Sequence, residues 1–183
     1  MTEEPTPSVA ARDDLAGVVD LFESLTREEL SRALSELAFK RREAVDEAVI
    51  EATIDAAVTE YAIVPAPPET VSVVDAGPDS GGDVRGAAEA EASFLAVGPA
   101  AFPSLPDGAA DLPYILDIPD RTVDREALSS AVLDRLSAEA VTAIDEGDAE
   151  RLEVLVDVTY DIESWAAVDA GPIRERIVAE LDD

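Results

Sequence analysis

The chain has 183 residues, with 42 Asp and Glu against 13 Lys and Arg, a formal net charge of −29, and neither Cys nor His. A disulfide framework, a thiolate or imidazole metal site, a Ser-His-Asp triad and Cys-His proteolysis are therefore excluded within it. The apolar fraction of 47% suffices to fold one or two domains, yet aromatics are only 4%, so the core must be built from small side chains.

The basic residues are uneven: Arg appears 12 times and Lys once, at Lys40, while Ala supplies 32 residues and Val 20. Acid excess, loss of Lys and small apolar residues together predict adaptation to concentrated salt. At molar ionic strength the Debye length is about 3 Å, and the self-repulsion of so charged a chain largely vanishes. The charge is even, at −9 over residues 1–64, −8 over 65–123 and −12 over 124–183. That spread disfavours an acidic mimic of nucleic acid, which would gather its charge on one face. No apolar run reaches the roughly 18 residues of a membrane span. The opening MTEEPTPSVAA is acidic where a signal peptide is basic. The expected address is cytoplasmic, with no membrane partner and with residues 1–12 as a flexible arm.

Along the chain, Leu15, Val18, Val19 and Phe22 recur at helical spacing and predict a first helix over 13–24. Thr26-Arg-Glu-Glu29 reads as a capping box opening a second helix with Leu30, Ala33, Leu34, Leu37 and Ala38 on one stripe, ending at Lys40-Arg41-Arg42. A third runs from 45–46 to about 61, with Ile50, Ile54, Ala57, Val58 and Tyr61 inward and Glu47, Glu51 and Asp55 opposite. Residues 61–64 and 93–97 are expected to pair as a hairpin, with a short strand near Val71 and a mobile loop at 75–92. The Pro-rich stretches 98–106 and 111–119 read as fixed connections carrying Phe102, Leu105, Tyr114 and Ile115 onto the body. From Thr122 or Asp124 a helix bears Leu128, Val132, Leu136, Ala140 and Ile144, flanked by Leu133 and Val141, and stops at Gly147. Asp148 caps the next, with Leu152, Leu155, Val156, Thr159 and Ile162. Pro172 opens the last, with Ile173, Ile177, Val178 and Leu181 inward.

The expected fold is mainly α (α+β). An N-terminal three-helix unit with a β-hairpin, over 13–97, is winged-helix-like or a plain three-helix bundle with a hairpin. A Pro-rich ordered connection (98–123) and a C-terminal three-helix bundle (124–183) follow. The segments LAGVVDLFESLTREELSRALSELAF (15–39), GPAAFPSLP (98–106) and VTYDIESW (158–165) resemble a small family of uncharacterised haloarchaeal proteins. That resemblance implies a saline cytoplasm and brings no catalytic or binding residue.

Candidate chemistry is sparse. Lys40, Arg41 and Arg42 are the one basic cluster and the candidate nucleic-acid contact, with Arg27 and Arg32 a few turns away; capping of the second helix is the competing role. The third helix offers carboxylates where a DNA-reading helix meets phosphates. Carboxylate pairs such as Asp13/Asp14 and Asp145/Asp148 are inevitable among 42 acids and mark no site. GPDSGGDVRG (77–86) lacks the Lys and the helix of a phosphate loop. Phe102, Leu105 and Tyr114 are the candidate protein-contact surface, against a role as lining between helical blocks. Tyr160 and Trp165 read as core or interdomain packing. The expected protein is non-enzymatic, takes no cofactor or metal, and acts on an unidentified protein partner or on itself. The alternatives are a transcription-associated DNA binder leaning on residues 40–42 and, more weakly, a nucleic-acid mimic.

Overall fold

The computed structural model describes residues 9–74 and 93–182. The sequence expectations for residues 1–8 of the arm and for the 75–92 loop lie outside the described residues. The chain is mainly helical with small antiparallel sheets, and it divides into two compact units, Met1–Val123 and Asp124–Asp183.

In the first unit, helix α1 (Val9–Leu21) starts before and stops short of the expected span. Glu23 turns into the left-handed region at φ 59, and Leu25 leaves the helix for a two-residue strand, β1 (Leu25–Thr26), opposite Leu95. So short a strand has no periodicity to read. The capping box that opens α2 (Arg27–Lys40) is present: Glu29 N donates to Thr26 Oγ1 at 3.2 Å, and Thr26 N donates to the Glu29 carboxylate at 2.8 Å. At its other end Arg42 N donates to Phe39 O and Glu43 N to Ala38 O. This closing turn sets Arg42 at φ 57, where glycine is usual. Helix α3 (Glu47–Thr59) is capped by Asp46 and closes the same way on buried Tyr61 at φ 60.

Strand β2 (Ile63–Ala66) pairs with β4 (Phe94–Val97), Ile63 opposite Val97 and Ala66 opposite Phe94. The expected hairpin forms, two residues further along its first arm, because Tyr61 and Ala62 are spent in the turn that ends α3. The sheet order is β1–β4–β2, so among the described residues β2 is an edge. The Gly98 N to Ala62 O bond and the register leave Pro65 opposite Leu95 in a non-hydrogen-bonded pair, its nitrogen facing away from β4. Gly98 follows β4 with its amide on Ala62 O, and a Cβ there would collide with the Tyr61 carbonyl. A second ladder joins β3 (Val71–Val73) to β5 (Arg121–Val123). Thr122 is thus strand, not helix start. The stretch expected to be irregular also contains one helical turn, α4 (Leu112–Ile115). The core gathers Leu15, Val18, Val19, Leu30, Ile50 and Ile54 from the helices with Ile63 and Leu95 from the sheet.

The second unit is three helices, each packed on the other two: α5 (Arg125–Glu146), α6 (Ala149–Trp165) and α7 (Gly171–Leu181). Asp124 and Asp148 cap the first two, and Gly147 ends α5 at φ 65. Leu128, Val132, Leu136, Leu152, Leu155, Ile162 and Ile177 are buried. Val178 and Leu181, expected inward, are exposed. Val178 stands about 100° round the helix from Ile177, and Leu181 falls in the last turn.

Candidate functional site

Residues 98–119 lie across the first unit as a strap tied at two places. At α1 the Asp13 carboxylate accepts from Phe102 N at 3.1 Å and the Asp13 carbonyl from Ser104 N at 3.0 Å. Gly17 permits this approach, since a Cβ there would meet the Ser104 carbonyl. At the end of α2, Lys40 Nζ donates to Gly108 O at 3.2 Å and pairs with Asp111 at 3.3 Å, while Arg41 Nε and Nη2 reach Asp107 O at 3.4 and 3.3 Å.

The strap inserts Ala101, Ala109 and Leu112 into the body and packs Leu116 and Ile118 against it, but leaves four large side chains largely outside. Phe102 is 82% exposed, Leu105 50%, Tyr114 91% and Ile115 47%. The sequence expectation that the strap carries these four onto the body is therefore corrected. Ala101 is buried while its neighbour Phe102 stands outside, its amide fixed on Asp13. Phe39, beside Lys40, is 77% exposed.

Bordering the strap is an apolar groove of about 190 Å³ between α1, α2 and α3, floored by Leu15, Val18, Leu37 and Ile50 and closed at one side by Pro106. Asp14, Arg41 and Glu43 stand among its lining residues, with half-exposed Val45 and Val49.

The basic candidates are dispersed by these contacts. Lys40 and Arg41 hold the strap, and Arg42 makes no ion pair among the described residues. Arg27 is bound to Glu51 and Asp55 across from α3, and the Glu51 hydrogen bond is the main cause of its raised pKa. The acidic row on α3 is thus partly neutralised from within.

Sequence reasoning missed Arg121. Its buried guanidinium grips both Glu29 oxygens at 2.7 and 2.8 Å, reaches Ser24 O, and lies 5.0 Å from the Phe94 ring centre. Burial pushes the Glu29 carboxyl up, but the bonds from Arg121 and from the Thr26 amide outweigh it and hold the group below its ordinary value. The capping box gave Glu29 a local role, and no signal of local spacing links it to a residue 92 positions away.

In the second unit Tyr160 is 56% exposed under the Arg174 guanidinium, 4.1 Å from its ring centre, and Arg174 also pairs with Glu163. Packing of Tyr160 into the core is thereby corrected, while Trp165 is half-buried beside Arg125 and Ser129. Glu139 accepts from Arg135 and Arg151; burial raises its pKa, and the two guanidinium groups bring it net below the usual range. Among the described residues no group of three or more carboxylates is placed to hold a metal ion, and no helix is long and apolar enough to cross a membrane.

The chain belongs to DUF7109, a family of unknown function. The match spans residues 13–182. It therefore takes in the strap, the groove apart from Ala11, and all three C-terminal helices. No curated protein and no solved structure matches the chain.

Proposed function

We propose that this DUF7109 protein is a salt-adapted, non-enzymatic cytoplasmic protein that acts by binding another protein through the strap-bearing end of its N-terminal unit. The observation that carries this reading is the use of aromatics. The chain has only eight Phe, Tyr and Trp, yet Phe102 and Tyr114 on the strap and Phe39 at its tether stand almost fully in solvent. Aromatic side chains are the commonest anchors of protein interfaces, and a strap tied at Asp13, Lys40 and Arg41 holds them with little ordering left to do on binding.

The order α1–β1–α2–α3–β2–β4 and the sheet order β1–β4–β2 support a winged-helix-like reading of this unit, with α3 in the place of a reading helix. Glu47, Glu51 and Asp55 on α3, and the commitment of Arg27, Lys40 and Arg41 to internal partners, favour a protein partner over DNA. The acidic, Lys-poor composition supports a haloarchaeal setting.

Capture at molar KCl with wild type and with Phe102→Ser/Tyr114→Ser, followed by reassembly from two purified proteins, tests the reading. A partner held by wild type and weakened about tenfold or more by the double substitution is the expected result. Equal binding by both, or specific retention of DNA fragments that Arg42→Glu abolishes, overturns it.

A further inference from the structure

The groove beside the strap has a shape and a charge pattern that narrow what enters it. Its α1 wall (residues 11, 14, 15, 18) and its α2 wall (residues 34, 37, 38, 41) are each one helical stripe two turns long, about 10 Å. A volume of about 190 Å³ is below the roughly 300 Å³ of an ordinary small-molecule pocket, and suits a few aliphatic side chains delivered by a larger body. The lining includes Asp14 from α1 and Glu43 from the turn between α2 and α3, neither in an ion pair among the described residues, while Arg41 is turned toward Asp107 O. A mostly apolar lining that carries two unpaired carboxylates is complemented by an apolar stripe flanked by cations.

We infer that this groove takes one face of a basic amphipathic helix from a partner protein, its aliphatic side chains over Leu37 and Ile50 and its Lys or Arg side chains beside Asp14 and Glu43. The inference rests on the protein-contact reading above and gives that partner a chemistry. The groove is continuous with the strap through Pro106. A second copy of this chain is a poor occupant, because it brings 42 carboxylates and 13 cations to the same groove.

The probe is a labelled synthetic helical peptide with Leu at i, i+3, i+4 and i+7 and Lys on both flanks, titrated by fluorescence anisotropy against the full chain in molar KCl. A scrambled peptide of the same composition and a patterned peptide with Glu in place of Lys serve as comparisons. The patterned Lys peptide is expected to bind at least ~10-fold more tightly than either. Val49→Asp, at a position 53% exposed and so tolerant of substitution, is expected to weaken it by a similar factor. That substitution adds a negative charge, so attraction by net charge alone would strengthen binding. Equal binding of the scrambled or the Glu peptide, or binding unchanged or tightened by Val49→Asp, overturns the inference. So does a sedimenting dimer that Val49→Asp dissolves, which would make the occupant another copy. If the natural partner is lost with Phe102→Ser/Tyr114→Ser but kept with Val49→Asp, the groove assignment fails alone. If it is kept with both, the protein-contact reading fails with it.

Discussion

Replacing Arg121 by Met tests the one deeply buried ion pair among the described residues of the N-terminal unit. The side chains of Arg121 and Glu29 are 3% and 16% exposed, and the substitution keeps most of the volume while leaving a carboxylate whose remaining partner is the Thr26 amide. Removing one member of a buried pair typically costs about 3–5 kcal/mol, a large share of the ~5–15 kcal/mol that holds a domain together. A second substitution, Glu29→Gln, removes the stranded charge and still accepts from Thr26, so the double variant is expected to recover at least ~1 kcal/mol of the loss. Arg27→Met is the control, because its partners Glu51 and Asp55 are 38% and 68% exposed and such pairs contribute about 0–1 kcal/mol. Urea unfolding at low and at molar KCl separates the cases. Salt screens the Arg27 pairs and barely reaches the Arg121 pair. An Arg121→Met loss under ~1 kcal/mol, or one that shrinks with KCl as the control does, refutes the claim that this bond is shielded from solvent.

Four further outcomes are expected. Because Glu29 titrates below its unfolded value of about 4.3, its contribution is full above that pH and is lost as pH falls through the folded value; the stability gap between wild type and Glu29→Gln should close in acid titrations below about pH 4. Gly98→Ala should cost more than ~3 kcal/mol, since a Cβ meets the Tyr61 carbonyl and Val64; a soluble variant melting like wild type would contradict the β4 turn. Asp161 is raised above its ordinary value by burial and by Asp157 one turn away, so Asp161→Asn should raise stability by ~0.2–0.5 kcal/mol, with the gain shrinking in KCl. Finally, helical circular dichroism should fall away as KCl is removed, because −29 is then unscreened; an unchanged signal in near ion-free buffer would detach the charge from salt adaptation.

Local signals were strong enough to place the helices. The capping box at Thr26, the stop at Gly147, the cap at Asp148 and the Pro172 start are each determined within one helical turn of sequence. What sequence reading missed depends on partners far along the chain. Leu25–Thr26 is a strand only because Phe94 and Leu95 lie beside it, and Arg121–Val123 only because Val71–Val73 does. Of the candidate surface, Phe102, Leu105 and Tyr114 could be singled out as large apolar residues between prolines. Their outward direction is set by where Ala101, Ala109 and Leu112 are inserted, which composition does not encode.

The strap bears on function because its fold does not need its aromatics. Its anchors are the Phe102 and Ser104 amides on Asp13, the Asp107 and Gly108 carbonyls on Arg41 and Lys40, Ala101, Ala109 and Leu112 buried in the body, and Leu116 and Ile118 packed against it. Serine at 102 and 114 would leave every one of these in place. In dilute buffer the net charge would keep such apolar tips apart, but at molar salt that repulsion acts over only about 3 Å, and uncovered aromatic faces would associate. A chain with only eight aromatic residues that nevertheless holds Phe39, Phe102 and Tyr114 outside the body is better explained, on the proposed reading, by a partner that covers this end than by the demands of folding.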